Sequence, residues 1–179
     1  MQQSKAINEI KLYPVGSVSS PIKDVTLKAG EEGLQHTGKR EQIRENHHRI
    51  KNTVCELVIL EAWQDLLDGI EEFSHALVLY WPHLLEPGRR ELHKVHPQGR
   101  KELPLTGIFA TRSPARPNPI LVSVVRILER RNHVLKVAGL EAVDGSPIID
   151  IKPHIVAYDT QEQPRVAPWM ERIQQEMTE

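Results

Sequence analysis

Gly107-Ile108-Phe109-Ala110-Thr111-Arg112-Ser113-Pro114-Ala115-Arg116-Pro117-Asn118-Pro119-Ile120 is the stretch that decides the fold. Pro114, Pro117 and Pro119 remove three backbone donors and fix three φ angles. They also push Ser113, Arg116 and Asn118 toward extended geometry. Such a segment cannot be a helix, nor can it pair fully inside a sheet. It reads as a stiff loop between two strand-like runs, Leu105–Thr111 and Ile120–Leu128. Arg112, Arg116 and Asn118 sit on it with little freedom left to lose, which is how a binding site is preorganised.

Working outward, short apolar runs alternate with turn signals, a mostly β pattern. Val15–Ser20 reads as a strand, and Val54–Leu60 alternates as one. Phe73–Trp81 is almost continuously apolar and reads as a strand buried on both faces or inside a barrel. Arg131-Asn132-His133 is a hairpin turn leading into Val134–Val143. Asp144-Gly145-Ser146-Pro147 is a second turn, and Ile148–Val156, interrupted by Pro153, reads as an edge strand. Lys23–Asn52 is polar, with one helical turn expected near Glu41–Arg49. Met170–Glu176 is expected to form a terminal helical turn.

Composition narrows the function classes. The 179 residues, 39% hydrophobic and 26% charged, suit one ordinary globular domain. The apolar runs are too short for a transmembrane helix, so no membrane partner is expected. Met1–Lys11 lacks the apolar core of a signal peptide, which points to the cytoplasm. The lone Cys55 excludes an internal disulfide and a multi-thiolate zinc site, and its place in an alternating strand suggests a small core residue. A net charge of −1 is not that of a general polyanion binder, so nucleic-acid contact needs a local patch. Glu86–Glu102 supplies one, with Arg89, Arg90, Lys94, Arg100 and Lys101 as candidate phosphate contacts. The same charges disfavour a metal at His93 and His96, and no metal is expected.

Individual residues carry competing readings. Arg112 and Arg116 are planar forks suited to carboxylates, phosphates or stacked bases, while Arg116 is equally suited to a structural ion pair. Asn118 can offer an acceptor to a substrate or cap a turn. Asp150 needs a partner within its apolar strand, and Lys152 on the same face supplies one. His75 reads as a core histidine bonded to backbone. Trp81 and Phe109 are stacking candidates, each more at home in a core.

Three blocks also resemble the TsaA-like (TrmO) family of S-adenosylmethionine-dependent tRNA methyltransferases. Leu67-Asp68-Gly69-Ile70-Glu71-Glu72-Phe73-Ser74-His75 with the following strand is similar to its "DG-x-E-x-F-S-H" segment. The proline-rich run is similar to its signature, and Val143–His154 resembles its "DGTPVxDIKPY" block. The blocks fall in the family's order. Two positions depart from its pattern: Gly33-Leu34-Gln35-His36 stands where a Pro-Arg-Gln segment is common, and Leu121 stands where glycine usually follows Asn-Pro-Ile.

The resemblance implies a single TsaA-like domain over 1–179, with motifs in about 11–160, forming a closed or nearly closed β-barrel with short helices. It implies S-adenosyl-L-methionine as cofactor, contacted by His83, Leu84, Arg112, Val122, Leu140, Glu141 and Ala142. Nothing in the residue pattern alone points to that cofactor, since no glycine-rich turn opens a helix. The activity implied is N6 methylation of a threonylcarbamoylated adenosine beside the tRNA anticodon, with Asn118 and Arg116 as catalytic candidates and a homodimer as the assembly. A cofactor- or RNA-binding module without turnover, and a methyltransferase on another small or nucleotide substrate, remain open alternatives.

Overall fold

The computed structural model describes residues 10–24, 27–30, 33–36 and 49–178. The strands are β1 Gly16–Ser19, β2 Leu27–Gly30, β3 Gly33–His36, β4 Val54–Ile59, β5 His75–Tyr80, β6 Lys94–Val95, β7 Thr106–Gly107, β8 Leu121–Arg131, β9 Val134–Ala138 and β10 Pro147–Pro153. Two helices follow, α1 Val156–Asp159 and α2 Pro168–Thr178. The helical turn expected near Glu41–Arg49 lies almost wholly outside the described residues.

Six strands close a barrel in the order β1-β10-β5-β8-β9-β4, every pairing antiparallel. The fold is therefore mainly β, as the alternating runs require. Inward positions of each strand fill the interior: Val18, Cys55, Leu57, Ala76, Val78, Val125, Leu135, Val137 and Ile148 are at most 1% exposed. Gly16 lies where β1 meets β4 so closely that a Cβ would stand 2.2 Å from the Val58 carbonyl oxygen. Closure needs that bare backbone.

Several expectations change in the barrel. β5 alternates half-buried and buried residues rather than being covered on both faces, because only its inner face meets the core. β10 is an edge only in part: Pro147 and Ile148 pair with β1 and close the barrel, whereas Asp150–Pro153 pair with β5 alone, so Pro153 sits where the other side of the strand is open. Leu105–Thr111 is extended only at Thr106–Gly107, after which Ile108–Ala110 tightens into a 3₁₀ turn. Glu86–Glu102 is broken by 3₁₀ turns at Pro87–Glu91 and Pro97–Gly99 and by β6. Its His96 ring is turned inward, with Nδ1–H donating to the Leu103 carbonyl at 2.8 Å. Asn132, at φ 51°, makes the turn between β8 and β9.

The Asp68-Gly69 block serves the opposite rim from the proline loop. Gly69 takes φ 82°, and Arg130 from β8 reaches Asp68 at 2.6 Å and Glu71 at 3.4 Å. The half-buried His75 ring meets the Ser74 hydroxyl at 2.9 Å, a side-chain partner where a backbone one was expected. Asp150 and Lys152 pair at 2.6 Å, as their shared face predicts. Among the described residues no helix is long and apolar enough to cross a membrane.

Candidate cofactor site at the barrel rim

Antiparallel closure puts the end of β5, the start of β8, the end of β9 and the start of β10 on one rim. His83 and Leu84 follow β5, Val122 opens β8, and Leu140–Ala142 follow β9. All seven cofactor candidates therefore belong to that rim or the proline loop entering it.

The loop is stapled from within. Arg116 donates to the Ser113 carbonyl at 2.8 Å, the Ile108 carbonyl at 3.4 Å and the Thr111 carbonyl. Thr111 Oγ1 donates to the Ile108 carbonyl at 2.8 Å, and the Ala115 amide donates to Ser113 Oγ at 3.2 Å. Buried Ala115 and Pro119 anchor the loop to the body. Arg116 thus supplies donors to carbonyls of a loop whose three prolines have no amide N–H to give, although the Ile108 carbonyl also accepts the Thr111 amide at 3.1 Å. Its partners are backbone rather than the acidic side chain that an ion pair requires.

Arg112 is exposed, and one Nη donates to the Val122 carbonyl. That bond joins two candidate residues and leaves the outer guanidinium edge facing solvent. Asn118 is exposed, and its side chain makes no hydrogen bond among the described residues. Turn capping, the commoner role for such a residue, is therefore not what occupies it.

At the β9 end, Leu140 is 0% and Ala142 1% exposed, so Glu141 between them projects outward. Its carboxyl keeps an open edge, yet the protein crowding it raises its pKa above the ordinary 4.5. Across the rim, Ser146 Oγ lies 3.4 Å from His83 Nδ1. Gly145, at φ 77°, offers no side chain against the His83 ring; a Cβ there would sit 3.8 Å from Nε2. The Asp144 carboxylate is held below the usual range by Lys23 at 2.7 Å and by the Ser20 amide at 2.9 Å.

Sequence reasoning missed Tyr80, Ser123 and Ser146. The Tyr80 hydroxyl donates to the Glu141 carbonyl at 2.9 Å, and Ser123 Oγ lies 3.4 Å from it. Tyr80 was legible only as a strand residue in an apolar run, where a hydroxyl is the one signal that a polar partner must exist.

The phosphate candidates divide. Arg100 is bound to Glu102 at 2.8 Å and to Glu176 of α2 at 2.6 and 3.1 Å, with its side chain 13% exposed. Arg90 lies over the Trp81 ring, 5.1 Å from its centroid. Arg89 lies 3.9 Å from Glu86, and Lys94 and Lys101 are exposed. Phe109, expected in a core, stands 80% exposed next to the loop. Among the described residues no group of three or more His, Cys, Asp or Glu side chains is placed so that it could hold a metal ion.

The rim supplies an open carboxylate, an exposed guanidinium edge, an imidazole and the exposed apolar side chains Leu84 and Val122. That mixture suits a ligand combining charged ends with a flat ring, as S-adenosylmethionine does. Barrel and rim together define a β-barrel ligand-binding domain. The chain belongs to the tRNA-methyltransferase O N-terminal domain family, whose profile matches residues 36–160.

Relatives and solved structures agree. A probable S-adenosyl-L-methionine-binding protein of Methanothermobacter thermautotrophicus is 40% identical, over 85% of this chain and 95% of its own length. An S-adenosyl-L-methionine-binding protein of Archaeoglobus fulgidus is 39% identical, over 80% of this chain and 88% of its own. A mouse tRNA (adenine(37)-N6)-methyltransferase is 38% identical over 52% of this chain and 21% of its own. The crystal structure of TrmO from Pseudomonas aeruginosa shares the fold with a TM-score of 0.63 at 22% identity, covering 90% of this chain. This chain spans 63% of that one, under two thirds.

Proposed function

We propose that the protein is an S-adenosyl-L-methionine-dependent methyltransferase acting on RNA, with N6 of a threonylcarbamoylated adenosine beside the tRNA anticodon as its acceptor. The observation that carries the reading is the gathering of His83, Leu84, Arg112, Val122 and Leu140–Ala142 at one rim in a chain of this family. The bound donor would supply an electrophilic methyl group on a sulfonium. Glu141 would hold its ammonium or ribose hydroxyls, Arg112 its carboxylate, and Leu84 and Val122 the ring. Once threonylcarbamoylated, N6 is a ureido nitrogen whose lone pair is shared with both carbonyl and ring, a weak nucleophile, so an acceptor on its N–H assists as the methyl arrives and the proton leaves. The unoccupied Asn118 amide oxygen suits that task, and Arg116 holds the loop that aims it. The exposed cations Lys94 and Lys101, with Arg89 and Arg90, would meet the phosphates.

We further assign a cytoplasmic homodimer joined on the outer face of β8. Val122 and Val124 are 38% and 49% exposed there, an apolar pair continuous with the site, and the same face goes on through exposed Arg126 to Leu128 at 41%. The test is incubation with methyl-labelled donor and total tRNA, followed by nucleoside analysis. Label in a methylated threonylcarbamoyladenosine is the expected result. Saturable donor binding with no label in any RNA would overturn the RNA acceptor and leave a donor-binding module without turnover, which the names of the archaeal relatives favour, or a methyltransferase on a small substrate.

A further inference from the structure

Glu141 points where its backbone sends it, since Leu140 and Ala142 are locked into the core on either side. Two side chains hold that backbone. The Cys55 thiol approaches the Leu140 carbonyl at 3.7 Å, a weak contact, whereas the Tyr80 hydroxyl reaches the Glu141 carbonyl at 2.9 Å. Tyr80 is 5% exposed and sits between Leu121 and Ile148 on the neighbouring strands, so its ring has no room to swing.

The direction of each bond follows. A carbonyl only accepts, so the phenol proton is committed to Glu141. Ser123, 3.4 Å away, must then donate to the phenol oxygen. Ser123 follows Val122, whose carbonyl receives Arg112. A directional chain thus runs from β8 through β5 to the segment after β9. Burial raises the Tyr80 pKa above its ordinary 10, so the hydroxyl stays protonated throughout the working range.

We propose that Tyr80 is the positioning residue of the donor site: it fixes the Glu141 backbone and, through Ser123, keeps it in register with the Val122–Arg112 pair. The inference rests on the donor-binding reading above and adds a residue to it. Tyr80→Phe keeps the ring and removes the proton. Calorimetry with the folded variant should give a dissociation constant for S-adenosylmethionine raised about tenfold, equivalent to about 1.4 kcal/mol. At saturating donor, kcat on total tRNA should stay within about twofold, because losing an interaction made equally in the ground and transition states raises KM and leaves kcat unchanged. Ser123→Ala should weaken binding less, and the double variant should be no weaker than Tyr80→Phe, since Ser123 acts through the phenol. A residue with only a structural role would lower the melting temperature and leave the affinity of folded protein unchanged. Unchanged affinity in Tyr80→Phe overturns the inference, as do fully additive effects in the double variant. If Tyr80→Phe does not fold, Ser123→Ala decides: unchanged donor affinity there overturns the relay. Wild-type protein that takes up no donor overturns the donor-site reading and this inference with it.

Discussion

Arg100 grips Glu176 with two hydrogen bonds, 2.6 and 3.1 Å, and so ties helix α2 to the basic segment before the proline loop. Ile173, 3% exposed, packs the same helix down. The carboxylates raise the guanidinium pKa above its already high value, so the arginine end of the tie stays charged wherever the carboxylates are ionised. Arg100→Ala should loosen α2, costing about 1.5–3 kcal/mol for a hydrogen-bonded charge. Faster protease cleavage near α2, with tRNA affinity little changed, is the expected outcome. A large loss of RNA binding would return Arg100 to the phosphate set.

Replacing Arg89, Arg90, Lys94 and Lys101 together by Ala should weaken tRNA binding and flatten its dependence on salt, with donor binding intact. For every phosphate no longer neutralised, the log–log slope should shrink by about 0.7–0.9. Titrations at several salt concentrations measure it directly; an unaltered slope would remove this segment from the RNA surface.

Arg112→Ala should keep the fold, since the residue is exposed and Arg116 holds the loop independently. Donor binding should fall by about 1.5–3 kcal/mol, the range for a hydrogen bond to a charged group. Arg112→Lys should restore only part, because an ammonium cannot contact the Val122 carbonyl and a ligand with one planar fork. Melting curves alongside calorimetry separate loss of binding from loss of structure.

The raised pKa of Glu141 has two consequences of opposite sign. Between its unfolded value near 4.5 and the higher folded one, the native state binds more protons, so stability falls as pH rises. At neutral pH Glu141→Gln should therefore raise the melting temperature, a gain that fades as pH falls toward 4.5. The same substitution should weaken donor binding. Wild-type donor binding should decline on acidification earlier than an ordinary carboxylate would dictate, and Glu141→Gln should abolish that inflection.

Gly16→Ala tests the barrel seam. Its Cβ would press on the Val58 carbonyl oxygen at 2.2 Å and on Ile59 Cα at 2.8 Å, both backbone. Backbone cannot rotate aside as a side chain can, so destabilisation at or beyond about 1–3 kcal/mol is expected in chemical denaturation.

Local patterns carried most of the architecture. Alternation at Val54–Leu60 placed β4 correctly, and the Asp150–Lys152 pair followed from period two alone. Pro153 marked a stretch that is open on one side, but the closure at the other end of the same strand, Pro147 and Ile148 on β1, spans a separation no local pattern records. In the site, which segments converge was implied by family resemblance, whereas the atoms that hold them were not readable. Arg116 read equally as a ligand fork or as half of an ion pair, yet a proline-rich loop turns its carbonyls inward and gives the arginine backbone partners. The partner of Tyr80 lies beyond β9, 61 residues away, and no spacing rule reaches that far.

The pairing of Gly16 with Ile148 also governs how the protein is made. During synthesis β1 emerges early but must wait for β10 before its second edge is covered, as must β5. Until then two strand edges and the unfinished interior are open to other chains. A ribosome that stalls, or a message that ends, before Pro147–Pro153 leaves no smaller working barrel, only a sheet with sticky borders that cellular quality control must clear.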